Sequence, residues 1–186
     1  MKNLLMMTGI AFLFLTGCAS LPPTVKRTSR SVASTRTVWN AENRSDSLKN
    51  TYRVLLKTPG NSLTGICILK RNGDEWRGAF ISEMGAKAFD FTVTAGTCTL
   101  LNVFPAMNKW YVKKTIATDL HFLFNADHPE ATFRRKLERF EQDGSLAVNY
   151  GKKQLLVGPD GAIRLVNSRH DLLYELRKMD PDEIDR

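Results

Sequence analysis

The feature that most constrains this chain is a train of short runs with a period of two, broken by turns about every ten residues. Lys87–Thr94 shows it most cleanly: Phe89, Phe91 and Val93 alternate with Ala88, Asp90 and Thr92. Side chains of a strand point alternately to its two faces, so this pattern describes a strand with one face buried. Similar runs precede and follow it at Thr51–Lys57, Leu63–Arg71, Glu75–Ser82 and Thr97–Phe104. Pro59-Gly60-Asn61, Asn72-Gly73-Asp74, Met84-Gly85 and Ala95-Gly96 separate them. Such Gly, Pro and Asn clusters supply turn geometries that other residues resist. Five short strands joined by tight turns predict an antiparallel meander.

After Pro105 the period changes. Met107–Phe124 carries Trp110, Val112, Ile116, Leu120, Leu123 and Phe124, mostly on one stripe of a helix. Lys109, Lys113, Lys114 and Asp119 fall elsewhere in that reading. An amphipathic helix must cover something, and an open sheet is the obvious surface. Beyond Asn125-Ala126-Asp127-His128-Pro129, strand patterns return over Leu146–Tyr150, Gln154–Val157, Ala162–Asn167 and Asp171–Met179. Ala131–Gln142 is charged and fits either an edge strand or a helix. A short helix is expected over Trp39–Lys49, and the acidic tail from Asp180 is expected to fray. The predicted fold class is α+β, a curved antiparallel sheet or incomplete barrel with a covering helix.

The N-terminus carries a different kind of signal. Lys2 precedes an apolar run from Leu4 to Leu15, and Leu15-Thr16-Gly17-Cys18 follows. The run is too short to span a bilayer, which takes about 20 apolar residues. A positive start, a short apolar core and small residues before a cysteine describe a bacterial lipoprotein signal peptide. Residues 1–17 are then the signal, and the Cys18 sulfur is the lipid attachment point. Several acyl chains make membrane attachment stable where one does not. Ala19 stands where an inner-membrane retention Asp would, which points to the periplasmic face of an outer membrane. Residues 18–37 are rich in Ser, Thr, Pro and Arg without apolar period, as a flexible tether is. Residues 38–186 form the single expected domain.

The net charge is +8. In an envelope protein this suits anionic lipids or peptidoglycan, or simply a solvated basic surface. Nucleic acid is not an expected partner, because no basic-aromatic binding motif is present. Cys67 and Cys98 lack metal spacing, and in an oxidising compartment they are either a disulfide or two buried thiols. His121, His128 and His170 sit in no catalytic or metal-binding motif. No catalytic residue, metal or cofactor is expected, and the chain reads as a non-enzyme.

The strand order, the apolar turn at Met84 and the helix after the fifth strand together resemble the LolA/LolB-like family. Residues 76–91, reading W-R-G-A-F-I-S-E-M-G-A-K-A-F-D-F, are similar to its strand-turn-strand with a protruding apolar tip. Met84 stands at the position of a leucine in that family, and Glu83 replaces a proline. The likeness spans roughly Tyr52–Asn125, with a weaker continuation to Met179. It implies an incomplete barrel around an apolar cavity, a helical lid, acyl chains or lipoproteins as ligands, and a periplasmic carrier protein as partner. Candidate lining residues are Phe80, Phe89, Phe91, Leu100, Phe104, Trp110, Ile116 and Leu120, with Met84 as the protruding tip. The same residues serve equally for a filled core. In that case the chain is an envelope scaffold for a protein partner and holds no ligand.

Overall fold

The structure is a computed structural model and describes residues 37–39 and 49–180. Cys18, the signal peptide and nearly all of the tether lie outside the described residues. So do most of the helix expected over 39–49 and the tail after Asp180.

Strands β1 (Lys49–Thr58), β2 (Asn61–Asn72), β3 (Glu75–Ser82), β4 (Lys87–Val93) and β5 (Cys98–Leu101) form the first half. A single turn of tighter helix over Pro105–Met107 leads into α1 (Trp110–Asn125). Strands β6 (Glu138–Gln142), β7 (Ser145–Tyr150), β8 (Lys153–Val157), β9 (Ile163–Asn167) and β10 (Leu172–Lys178) form the second half. All ten strands belong to one antiparallel sheet, in the order β5-β4-β3-β2-β1-β10-β9-β8-β7-β6. Every neighbouring pair is a sequential hairpin except β1–β10, where Tyr52 faces Lys178 and Leu56 faces Tyr174. The first and last strands thus pair at the centre of the sheet. Its edges, β5 and β6, stay unpaired with each other, so the sheet is open and does not close into a barrel.

Helix α1 packs against β4 and β5 on one side and β9 on the other. In a flat sheet β5 and β9 would lie about 29 Å apart at the normal strand spacing. A helix is only about 10 Å across, so the sheet must curl around it. Phe91 needs room inside this curl, and Gly78 opposite it on β3 provides that room. A Cβ at Gly78 would collide with the Phe91 ring.

Several expectations need correcting. The fifth strand stops at Leu101, well short of Phe104. Asn102 adopts a left-handed backbone (φ 48°) and turns the chain out of the sheet. The helix starts at Trp110, and its buried stripe begins only at Ile116. Its first turn therefore projects past the sheet, leaving Trp110 and Tyr111 exposed. Residues 131–137 lie in neither strand nor helix, and only Glu138–Gln142 forms the edge strand. Cys67 and Cys98 are free thiols. They sit on β2 and β5 with two strands between them, not on neighbouring strands where a disulfide's roughly 7 Å span would reach.

Candidate functional site at the open end

The sheet has two unlike ends. At one, the β2–β3 and β4–β5 turns lie beside the C-terminus of α1. There the Asn125 amide donates to the Thr94 carbonyl (2.7 Å). Trp39 closes this end. Its indole stacks on Phe124 with ring centres 5.0 Å apart and meets Trp76 at 5.2 Å. The indole N–H donates to the Leu123 carbonyl (3.0 Å). Asp127 accepts from the Val38 and Trp39 amides (2.6 and 3.1 Å) and pairs with the Arg139 guanidinium.

Between the ends, the interior is filled. Phe80, Phe89, Phe91 and Leu120 pack with Leu123, Phe124 and Leu176 around a residual space of about 30 Å³. That is room for only a few water molecules at most, each needing roughly 10–15 Å³ of such space. Leu100 is half-buried against the same core. No acyl chain fits there without repacking.

A larger space than the cleft of about 250 Å³ beside Trp39, Trp76 and Asp127 lies at the other end, where the β1–β2 and β9–β10 turns meet the first half of α1. A cleft of about 610 Å³ opens between the first half of α1 and the ends of β1 and β10. Leu56, Pro59, Met107, Val112, Ile116 and Leu172 give it apolar walls, with Tyr111 and Tyr174 beside them. Its volume falls within the roughly 300–1,000 Å³ typical of ligand sites. Leu56 and Tyr174 also border the packed interior, so the cleft stops where the core begins.

Of the sequence-predicted lining residues, only Ile116 faces this cleft. Phe104 and Trp110 stand at the surface of the open end. So does Met84, which is 89% exposed on a turn closed by the Gly85 amide donating to the Ser82 carbonyl (2.9 Å). The large hydrophobic residues exposed among the described residues are Met84, Leu101, Phe104, Trp110 and Tyr111, all at this end. The Phe104 amide donates to the Ala88 carbonyl (2.7 Å) and holds that loop beside the Met84 turn. Asn102 is fixed by donating to Asp90 (2.6 Å). That bond, helped by Lys87, holds the Asp90 carboxyl below its ordinary range.

A buried polar cluster ties α1 to the second half of the sheet. Asp119 is fully buried and accepts from Asn167 Nδ2 (2.8 Å) and Tyr174 Oη (3.0 Å). Lys153 Nζ lies 2.7 Å from the same carboxylate. Burial, reinforced by the neighbouring Asp119, pushes the Tyr174 phenol well above its ordinary value. The phenol therefore stays protonated and donates. The expectation that placed Asp119 off the apolar stripe fails. Ile116, Asp119, Leu120 and Leu123 have the i, i+3, i+4, i+7 spacing of one face, and an acid in register with that stripe was the signal to read. Trp39 carried no comparable local pattern.

Burial pushes both the Cys67 and Cys98 thiols up to about 12, which favours the protonated thiol over the nucleophilic thiolate. Among the described residues, no three His, Cys, Asp or Glu side chains are placed to hold a metal ion. None of their helices is long and apolar enough to cross a membrane. What the open end offers is shape and apolar surface. Comparison with protein-family models and with curated proteins finds no match to this sequence.

Proposed function

We propose that this chain is a non-enzymatic bacterial envelope lipoprotein, anchored through lipidated Cys18 at the periplasmic face of the outer membrane. In this reading it holds the acyl chain of a lipid or lipoprotein at its open end, in the manner of LolA/LolB-like proteins. The observation that carries it is the cleft of about 610 Å³ walled by Leu56, Met107, Val112, Ile116 and Leu172. Each methylene buried there gains about 0.8 kcal/mol, so an acyl chain binds without polar recognition. Tyr111 borders the cleft, and Met84, Phe104 and Trp110 are exposed at the same end of the sheet, side chains suited to a membrane interface. A likeness in fold class alone does not assign activity; the cleft and the Cys18 motif are what support the reading.

The packed interior favours a second reading, an envelope scaffold that holds no ligand and binds a protein partner. Native mass spectrometry of the full chain, purified without detergent and offered a fluorescent C16 fatty acid, separates the two. The carrier reading expects one bound acyl chain per protein. A ligand-free chain that takes up no fatty acid contradicts it and leaves the scaffold. Lipidation is tested separately by labelling cells with an alkyne palmitate. The label should attach to the chain and vanish in Cys18→Ala; an equally labelled variant rules out that anchor.

A further inference from the structure

The apolar cleft has a neighbour of opposite character. Residues 131–137 pass beside the β7–β8 and β9–β10 turns and enclose a second cleft of about 610 Å³. Arg134, Arg135, Lys152, Lys153 and Arg169 line it, and none of its lining residues is acidic. Lys153 is already neutralised by Asp119. The other four have no ion-pair partner among the described residues. They come from three separate segments. Arg134 and Arg135 precede the edge strand, Lys152 is on the β7–β8 turn, and Arg169 is on the β9–β10 turn. All four are exposed, and like charges gathered from different segments make a local positive potential that attracts an anion. Arg135 lies against Gly151, whose left-handed backbone (φ 61°) shapes the turn carrying Lys152.

His170 borders both clefts. The basic cleft and the apolar cleft therefore meet at the β9–β10 turn. A molecule bridging them has an apolar chain on one side of His170 and an anionic group on the other. Guanidinium groups match phosphate oxygens in paired hydrogen bonds, and ammonium groups add point charge.

We infer that the open end binds a phosphate-bearing amphiphile, its acyl chain in the apolar cleft and its phosphate headgroup among Arg134, Arg135, Lys152 and Arg169. This rests on the acyl-binding reading above and adds the headgroup class to it. The test uses the full chain with fluorescent-acyl phosphatidylglycerol, the matching uncharged diacylglycerol, and inorganic phosphate as competitor. Phosphatidylglycerol should bind at least tenfold tighter than diacylglycerol, and that preference should shrink in high salt. The double variant R134E/R169E changes two exposed side chains. It should abolish the preference and leave diacylglycerol binding unchanged, with Lys152→Glu giving a smaller loss in the same direction. Equal binding of the two lipids by the unmodified protein overturns the headgroup site and leaves the acyl site standing. Binding of neither lipid overturns the acyl reading as well. Displacement of phosphatidylglycerol by inorganic phosphate at equal concentration marks a free-phosphate site, and the bridged amphiphile is then wrong.

Discussion

The two ends of the sheet are built from similar residues put to opposite use. At the closed end, Trp39, Trp76 and Phe124 are buried against one another, with Asp127 fixing the backbone that delivers Trp39. At the open end, Trp110, Tyr111, Phe104 and Met84 are exposed, with Tyr111 at the edge of a cleft. Aromatic content therefore says little by itself about where a core lies. What differs is whether the chain continues past the ring to cover it. Residues 37–39 return over the closed end, whereas Asn102 throws the chain clear of the sheet at the open end. Trp39, Trp76 and Phe124 are covered at one end, and the exposed large apolar side chains among the described residues lie at the other.

Substitutions that break the closed end should have the largest effect. Trp39→Ala removes a fully buried indole and should cost about 4 kcal/mol of stability in urea unfolding. A loss below about 1 kcal/mol would mean that the return of residues 37–39 is not part of the fold. Asp119→Ala comes next. It leaves Lys153 and Tyr174 without their shared acceptor and should cost about 3 kcal/mol. Lys153 retains some access to solvent, so the cost should stay below that of Trp39→Ala, and the reverse order would place the main anchor of α1 at the polar cluster.

At the open end the consequences should shift from stability to binding. Val112→Trp places an indole in the cleft wall. It should weaken C16 fatty acid binding at least tenfold, with stability changed by less than about 1 kcal/mol. Unchanged binding would move the ligand out of this cleft. Trp110→Ser and Met84→Asp should have the smallest effect on stability, within about 0.5 kcal/mol, because their side chains leave no cavity behind. A larger loss in a thermal melt would show that these side chains pack on something and are not a free rim.

Much of the sheet was legible because its signals are local. The period of two in Lys87–Val93 and the turns at Gly60, Gly73 and Gly85 each act within a few residues. The strand bounds at Glu75–Ser82 followed from them directly. The β1–β10 pairing was not legible, since nothing near Tyr52 specifies Lys178 as its partner. Phe104 and Trp110 both extend an apolar pattern that predicts an interior position; the left-handed Asn102 and the late start of the buried stripe expose them. Phe80, Phe89, Phe91 and Leu120 do lie inside, but a pattern of apolar residues does not distinguish a packed interior from a hollow one. Packing at Gly78 and Phe91 fills the middle, and the free volume moves to the end of the sheet.

The most direct measurement is photo-cross-linking with a C16 fatty acid carrying a diazirine near its methyl end, read out by peptide mass spectrometry on the full chain. The expected adducts fall on Met107, Tyr111, Val112, Ile116 and Leu172, the walls of the open-end cleft. Adducts on Phe80, Phe89 or Phe91 would show that the packed interior opens to admit the chain. Adducts scattered over the surface, or none at all, would contradict an acyl site at the open end.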